Sequence, residues 1–254
     1  MARTAVEAFS ESADAYAVTM APALQPVAAE VVRRAELAPG WHVLDVGTGT
    51  GIGAAAALGD GRRAVGLDGA PGMLAIARRE VPAATFIEAD YMSLPFADQA
   101  FDAVIAVHAL LFAPDPKQAL AEWRRVAKAG GRLALSVPGP RAATSAPIFE
   151  PIHRSFGITG GRQYPDAASL AELAGAGGWS EVETGADPSI AITLASDDDF
   201  DLWLATGSRG QATGDWDDER QRALRDAMLG ATPRDARGQL RIPFGALYLT
   251  ARNR

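Results

Sequence analysis

Three features of the chain predict an α/β fold built on an open, mostly parallel sheet. From residue 41 onward, short apolar runs alternate with helix-forming segments, which is the rhythm of βαβ units. Three of those runs close on an acid, at Asp45, Asp68 and Asp90. The first leads straight into Gly47, Gly49 and Gly51 and then into the alanine-rich residues 54–58. Strand, tight glycine turn and helix in that order let backbone amides close around a small charged ligand.

The elements follow in order. Residues 1–20 carry Phe9, Tyr16 and Met20 in a mixed polar, helix-like pattern that ends at Pro22. A helix over 24–37 is expected next, with Val27, Val31, Val32 and Ala35 on one face and Pro39-Gly40 as its stop. After the glycine turn, residues 63–68 read as a second buried strand, and the helix behind it opens at Pro71 and carries Met73, Leu74, Ile76 and Ala77. Residues 85–90 are the third strand, and residues 101–108 the fourth, almost continuously apolar as a strand covered on both faces should be. Pro116 starts a helix that runs to Lys128, Gly130-Gly131 ends it, and residues 132–137 form the fifth strand.

Beyond Pro138 the rhythm breaks into turn residues mixed with Phe149, His153, Phe156 and Tyr164. A short helix at 169–176 and a strand within 182–194 come next. Ser196 reads as an N-cap, with Asp197, Asp198 and Asp199 in the first turn and Phe200, Trp203 and Leu204 on one face. A second helix over about 215–229 has Trp216, Ala223, Leu224, Ala227 and Met228 on its apolar side. The last strand is placed at 244–251, where Pro243 suits the start.

Composition narrows the class. With 48% hydrophobic and 22% charged residues the chain is globular and soluble in character. No apolar run approaches the ~18 residues of a membrane span, and the N-terminus lacks the apolar core of a signal peptide. Zero Cys excludes disulfides, thiolate metal sites and a Cys nucleophile. A cytoplasmic enzyme without a metal site is expected. The net charge of −7 disfavours a nucleic-acid partner, and the pairs Arg33-Arg34, Arg62-Arg63 and Arg124-Arg125 read as solvated helix ends.

The order acid-x-Gly-x-Gly-x-Gly from Asp45 resembles motif I of the class I S-adenosylmethionine-dependent methyltransferases, and no Gly-Lys-Ser/Thr ending supports a phosphate-binding loop. Val65-Gly66-Leu67-Asp68 with Pro71-Gly72-Met73-Leu74 resembles the second motif of that family. Ala89-Asp90 with Leu94-Pro95-Phe96 resembles the third, and Phe101-Asp102-Ala103-Val104 the fourth. Residues 41–138 are thus similar to the cofactor-binding core of the group that includes the quinone-biosynthesis C-methyltransferases. The resemblance implies a doubly wound, seven-stranded sheet, mostly parallel with an antiparallel last strand, with helices on both faces. One domain over 1–254 is expected, with an N-terminal lid at 1–22 and helical cap inserts at about 139–166 and 196–240.

It also implies the site. Ligands bind beyond the carboxyl ends of parallel strands. Gly47, Gly49 and Gly51 would let amides approach the methionine carboxylate, and Asp68, roughly twenty residues on, would accept from both ribose hydroxyls. Asp90 would accept from the adenine amino group, with Tyr91 and Met92, or else Met73, beside the ring. Two readings stand for Asp45, a cofactor contact or an acid that orients the loop. Thr48, Gly69 and Val107 complete the expected set, and Tyr16 resembles a position where the N-terminal segment folds over the cofactor.

His108, at the end of the fourth strand, is the candidate base, since an imidazole titrates near about 6.5. A packed strand-end histidine is the alternative, His153 is a rival base, and His42 lies at the far end of the sheet. The fourth motif continues as Val107-His108-Ala109-Leu110-Leu111, without the Asn/Asp-Pro-Pro-Tyr of amino-group methyltransferases acting on nucleic acids and glutamine. With the acidic charge, this departure argues for an apolar small-molecule acceptor; a monomer or homodimer is expected. The aromatic residues of the inserts either roof an apolar pocket or pack as helix cores. Two other readings remain. Gly49-x-Gly51-x-x-Ala54 with Asp68 fits a loose NAD-dependent oxidoreductase pattern, and a protein that binds S-adenosylmethionine without methyl transfer, such as a cyclase or sensor, would carry the same motifs.

Overall fold

Every apolar run of the expected core forms a strand in the computed structural model, which describes residues 4–158, 165–206 and 216–254. The strands β1 (His42–Val46), β2 (Arg63–Asp68), β3 (Thr85–Glu88), β4 (Phe101–Val107) and β5 (Ala127–Pro138) run parallel. The final strand β9 (Ala246–Arg252) is antiparallel to β5 and to β6 (Ser180–Asp187). The order across the sheet is β3-β2-β1-β4-β5-β9-β6. The chain therefore winds outward in one direction from β1 and in the other from β4, which leaves a crevice at their carboxyl ends.

The period-2 alternation of the strands divides the core. Val43, Ile105 and Tyr248 point to the face covered by α3 (Ala21–Ala35) and α4 (Ile52–Ala57). Leu44, Val104 and Leu135 point to the other face, covered by α6 (Pro116–Val126) and α8 (Ala167–Ala176). Helix α5 (Pro71–Glu80) begins on its proline as expected, because the missing N–H of a proline is unneeded in a first turn. At the N-terminus, α1 (Ala5–Glu11) and α2 (Ala13–Thr19) precede α3. Pro22 does not mark the break; it lies in the first turn of α3, and the chain bends at Met20.

The second half departs further from expectation. The segment after Pro138 is helical over α7 (Ala146–Ser155) despite an internal Pro151. The single strand expected within 182–194 is two: β6 joins the main sheet, and β7 (Ala191–Leu194) pairs with β8 (Leu240–Pro243) in a separate two-stranded sheet. That small sheet clamps the two ends of the second insert, which holds α9 (Asp197–Ala205) and α10 (Asp218–Ala231). Ser196 does cap α9, in a reciprocal pairing with Asp199. Phe149, Phe200, Trp203, Leu224 and Met228 belong to the same buried cluster as α3 and the sheet face, so the inserts share the main core. Trp203, 2% exposed, is a core residue of that cluster. Tyr164 lies outside the described residues.

The paired arginines are not simply solvated helix ends. The Arg34 guanidinium lies 4.8 Å from the Tyr248 ring centre, and Arg62 donates to the carbonyls of Leu37, Ala57 and Leu58. Arg125 donates to the carbonyls of Leu94 and Phe96 and pairs with Glu122 and Asp98. Among the described residues no helix is long and apolar enough to cross a membrane.

Candidate active site

The crevice between β1 and β4 is floored by the glycine loop. Gly47, Gly49 and Gly51 have φ of 65°, 54° and 88°, a region that side chains strain to enter. A Cβ on Gly47 would also collide with that of Ala109, so loop and β4 end meet only because this position is bare. Gly49 faces the opposite way, with nothing within 4 Å of where its Cβ would stand.

Asp45 lies beneath this loop. It is 1% exposed, its carboxylate accepts from the Thr48 hydroxyl at 2.6 Å, and both its oxygens sit 2.6 Å from the place a Gly53 Cβ would take. The Thr48 amide donates to the Leu67 carbonyl at 2.9 Å. The amide and hydroxyl of Thr48 are thus turned into the fold, its carbonyl accepts from the Gly51 amide at 2.9 Å, and its side chain shapes the loop. Burial pushes the Asp45 carboxyl up to about 7, against the pull of the Thr48 hydroxyl.

Because that value exceeds the ordinary 3.8, the contribution of Asp45 to stability is fully present below pH 3.8 and is lost as pH rises through 7. Asp45→Asn, which cannot ionise, is expected to be the more stable protein above neutrality, by about 2–4 kcal/mol relative to its position at pH 4. Urea unfolding of both proteins at pH 4 and pH 8 checks this. Identical pH dependence in the two would show that Asp45 does not titrate in that range.

Across the loop stands Asp68, the last residue of β2. Its carboxylate accepts from the Gly49 amide at 2.8 Å and from the Ala70 amide at 2.9 Å. Burial raises its pKa, and these amides oppose the shift. The residue is only partly buried and keeps lone pairs for further donors. Asp90 is not the end of a strand. β3 stops at Glu88, and Asp90 sits exposed in the following turn, where its carboxylate caps the Met92 amide at 2.8 Å. Tyr91 and Met92 are half-buried beside it. The Tyr91 carbonyl is held by the Trp123 indole at 3.0 Å, and burial pushes its phenol up to about 12. With the Leu94 amide bound to Glu122 and Arg125 gripping two carbonyls, α6 pins this whole turn.

The N-terminal helices fold over the same edge. The Gly72 amide donates to the Ser10 hydroxyl at 2.9 Å, and a Cβ on Gly72 would collide with the Ser10 carbonyl. Val6 stands 3.3 Å from where a Gly69 Cβ would be. Phe9 packs edge-on against Phe112, beyond the end of β4, and against Tyr16. Met73, 2% exposed, is taken up in this packing with Ala13, Ala70 and Ile76. It joins the N-terminal helices to α5, and Tyr16 packs against the same cluster.

His108 follows the end of β4 with a left-handed φ of 57°, a conformation in which His is enriched among larger residues. The turn aims its ring at the neighbouring strand. Nδ1 lies 2.8 Å from the Ser136 hydroxyl, and the ring stacks on Phe244 at 5.2 Å and 17°. His108 is 6% exposed and Ser136 fully buried. Val107, the last residue of β4, packs into the core at 9% exposure. His153 sits on α7, half-buried 6.5 Å from the Phe149 ring, and burial lowers its pKa. His42, at the opposite end of the sheet, packs on Phe101.

The structure thus brings together Gly47, Gly49, Asp68, Gly69 and His108 at one edge, with the turn of Asp90 to Met92 beyond β3. The sequence reading missed Ser136, Phe244 and Ser10. A lone hydroxyl within the apolar run of residues 132–137 was the only signal for Ser136.

The methyltransferase-domain family matches residues 44–135, from β1 into β5. The demethylmenaquinone methyltransferase of Renibacterium salmoninarum is 41% identical over 118 residues, 46% of this chain and 47% of the relative. That of Corynebacterium urealyticum is 33% identical over 169 residues, 59% of this chain and 72% of the relative. The chain spans about half the length of several of the curated relatives it matches. Among solved structures, the (4+2)-cyclase SpnF is 25% identical with a TM-score of 0.57, covering 90% of this chain and 80% of that one.

Proposed function

The chain belongs to the class I S-adenosylmethionine-dependent methyltransferases, and we propose that it methylates an apolar, quinone-like ring in its reduced form. The observation that carries the reading is the pairing of Gly49 and Asp68 at the switch point of the sheet. An open glycine surface beside a part-buried carboxylate suits a ligand with a ribose and a cationic centre. Gly47 and Gly49 would border its amino-acid end and Asp68 its hydroxyls. The residues around Asp90 to Met92 would receive the adenine. When bound, the cofactor supplies an electrophilic methyl group on a sulfonium. Asp45 acts from below, holding Thr48 and so the shape of the loop.

The acceptor class follows from the likeness to the demethylmenaquinone methyltransferases and from chemistry. A quinone ring is electron-poor, whereas its two-electron-reduced hydroquinone has nucleophilic ring carbons. Attack by such a carbon would form one C–C bond and break the S–CH3 bond, leaving S-adenosylhomocysteine, and the ring proton would pass to solvent when the crevice reopens. What the chain supplies is alignment and exclusion of water. α1 and α2 would form the lid, through Val6 over Gly69 and Phe9 on Phe112, and His108 would meet a ring oxygen.

Label from methyl-tritiated S-adenosylmethionine is expected in a chemically reduced 2-prenyl-1,4-naphthoquinone, with S-adenosylhomocysteine released in equal amount. A chain lacking residues 1–11 should bind the cofactor and lose turnover. Full transfer by it would remove α1 from the mechanism. Cofactor binding without label transfer to reduced naphthoquinones, phenols or indoles would favour the second reading, a non-methylating role for which the likeness to the cyclase speaks.

A further inference from the structure

We propose that Ser136 is a positioning residue that holds His108 in the Nε2–H tautomer, so that the imidazole offers the acceptor a hydrogen-bond donor and not a base. The place of His108 beside the acceptor rests on the methyl-transfer reading above; the tautomer does not.

The inference comes from counting protons in a closed space. Ser136 lies on β5, paired in register with Val107, and has no exposed surface. Its hydroxyl oxygen has two hydrogen-bond partners among the described residues, and both belong to His108: the backbone amide at 3.3 Å and Nδ1 at 2.8 Å. The amide can only donate, and it shares its proton between the Ser136 carbonyl at 3.0 Å and one lone pair of the hydroxyl. Among the described residues the hydroxyl proton then has one acceptor within reach, Nδ1. If Nδ1 carried the imidazole proton, the serine oxygen would accept twice and its own proton would be buried without a partner. A satisfied hydroxyl is strongly favoured over that arrangement in an interior. Donation to Nδ1 leaves the ring proton on Nε2, since which ring nitrogen is protonated follows from the bond the other one makes.

Two further contacts hold the ring where this bond is made. The left-handed backbone at residue 108 turns the side chain toward β5, and the His108 amide donates to the Ser136 carbonyl at 3.0 Å. Phe244 stacks on the ring face and leaves in-plane hydrogen bonds as its polar contacts. A neutral imidazole that donates through Nε2 suits an oxygen carrying negative charge, such as the ionised hydroxyl of a hydroquinone, whose charge must be held until the ring carbon attacks.

The test is long-range proton–nitrogen NMR on protein labelled with 15N-histidine, without ligand, at a pH where imidazoles are neutral. The chain has three histidines, so loss of one spectrum in His108→Asn assigns the signal. A pyridine-type Nδ1 with a pyrrole-type Nε2 is expected; the reverse pattern overturns the proposal. Ser136→Ala should shift the signal toward Nδ1–H, and Ser136→Thr should restore it. An unchanged tautomer in Ser136→Ala overturns the positioning role. If Ser136→Ala does not fold, Ser136→Cys, whose thiol is a weaker donor, should give a mixed signal, and an unchanged one counts against the proposal. In turnover, Ser136→Ala should lower kcat about tenfold with unchanged cofactor affinity, with recovery in Ser136→Thr. Should no acceptor be methylated by the wild type, the functional reading fails while the NMR result still decides the tautomer.

Discussion

Asp68→Ala is expected to weaken S-adenosylmethionine binding at least tenfold, because a hydrogen bond to a charged, part-buried carboxylate contributes about 1.5–3 kcal/mol. The side chain has two duties. It accepts from the Gly49 and Ala70 amides, so its loss frees the glycine loop, and in the proposed reading it would also take the ribose hydroxyls. A deoxyribose analogue of S-adenosylhomocysteine separates the two by calorimetry. If ribose contact dominates, the analogue should bind wild type and variant alike, while the natural ligand loses affinity in the variant alone. If loop order dominates, both ligands should weaken together. Unchanged affinity for the natural ligand in a folded variant would remove Asp68 from the site.

How much of this was legible depended on whether the signal was local. β2 and the start of α5 could be read to the residue, because an apolar run ending in Asp68 and a helix-opening Pro71 are written in consecutive positions. The N-cap at Ser196 was readable for the same reason. β7 and β8 were not, since each has four residues and its partner lies far along the chain. Asp90 showed the limit at the site itself. Its acid was visible, but the sheet register ends β3 at Glu88, and the carboxylate then has a turn to cap. Arg125 resembled a solvated helix end because the carbonyls it binds, at Leu94 and Phe96, leave no trace in composition. The meeting of His108 with Ser136 needed both the β4–β5 register and a left-handed turn, neither of which side-chain pattern encodes.

His108→Asn is expected to lower kcat by roughly 10²–10³-fold, the cost of removing one preorganised donor from a developing or resident oxyanion, with cofactor affinity changed little. Asn is preferable to Ala here because the left-handed backbone at this position costs most other residues about 1–2 kcal/mol, and a stability loss would blur the kinetic one. The wild-type pH profile separates donor from base. A general base at His108 would give a kcat that falls at acid pH as the imidazole gains its proton. A donor keeps an N–H at Nε2 in both charge states, so the fall would have to come from reprotonation of the acceptor and move with the acceptor's own acidity. Acceptors graded in hydroxyl pKa should then show acid limbs that follow the acceptor. His153, on α7 beside Phe149, is the internal control. If His108→Asn keeps near-normal turnover and the double variant His108→Asn/His153→Ala does not, the role passes to His153. If both keep it, neither histidine contributes and transfer rests on alignment within the closed crevice alone.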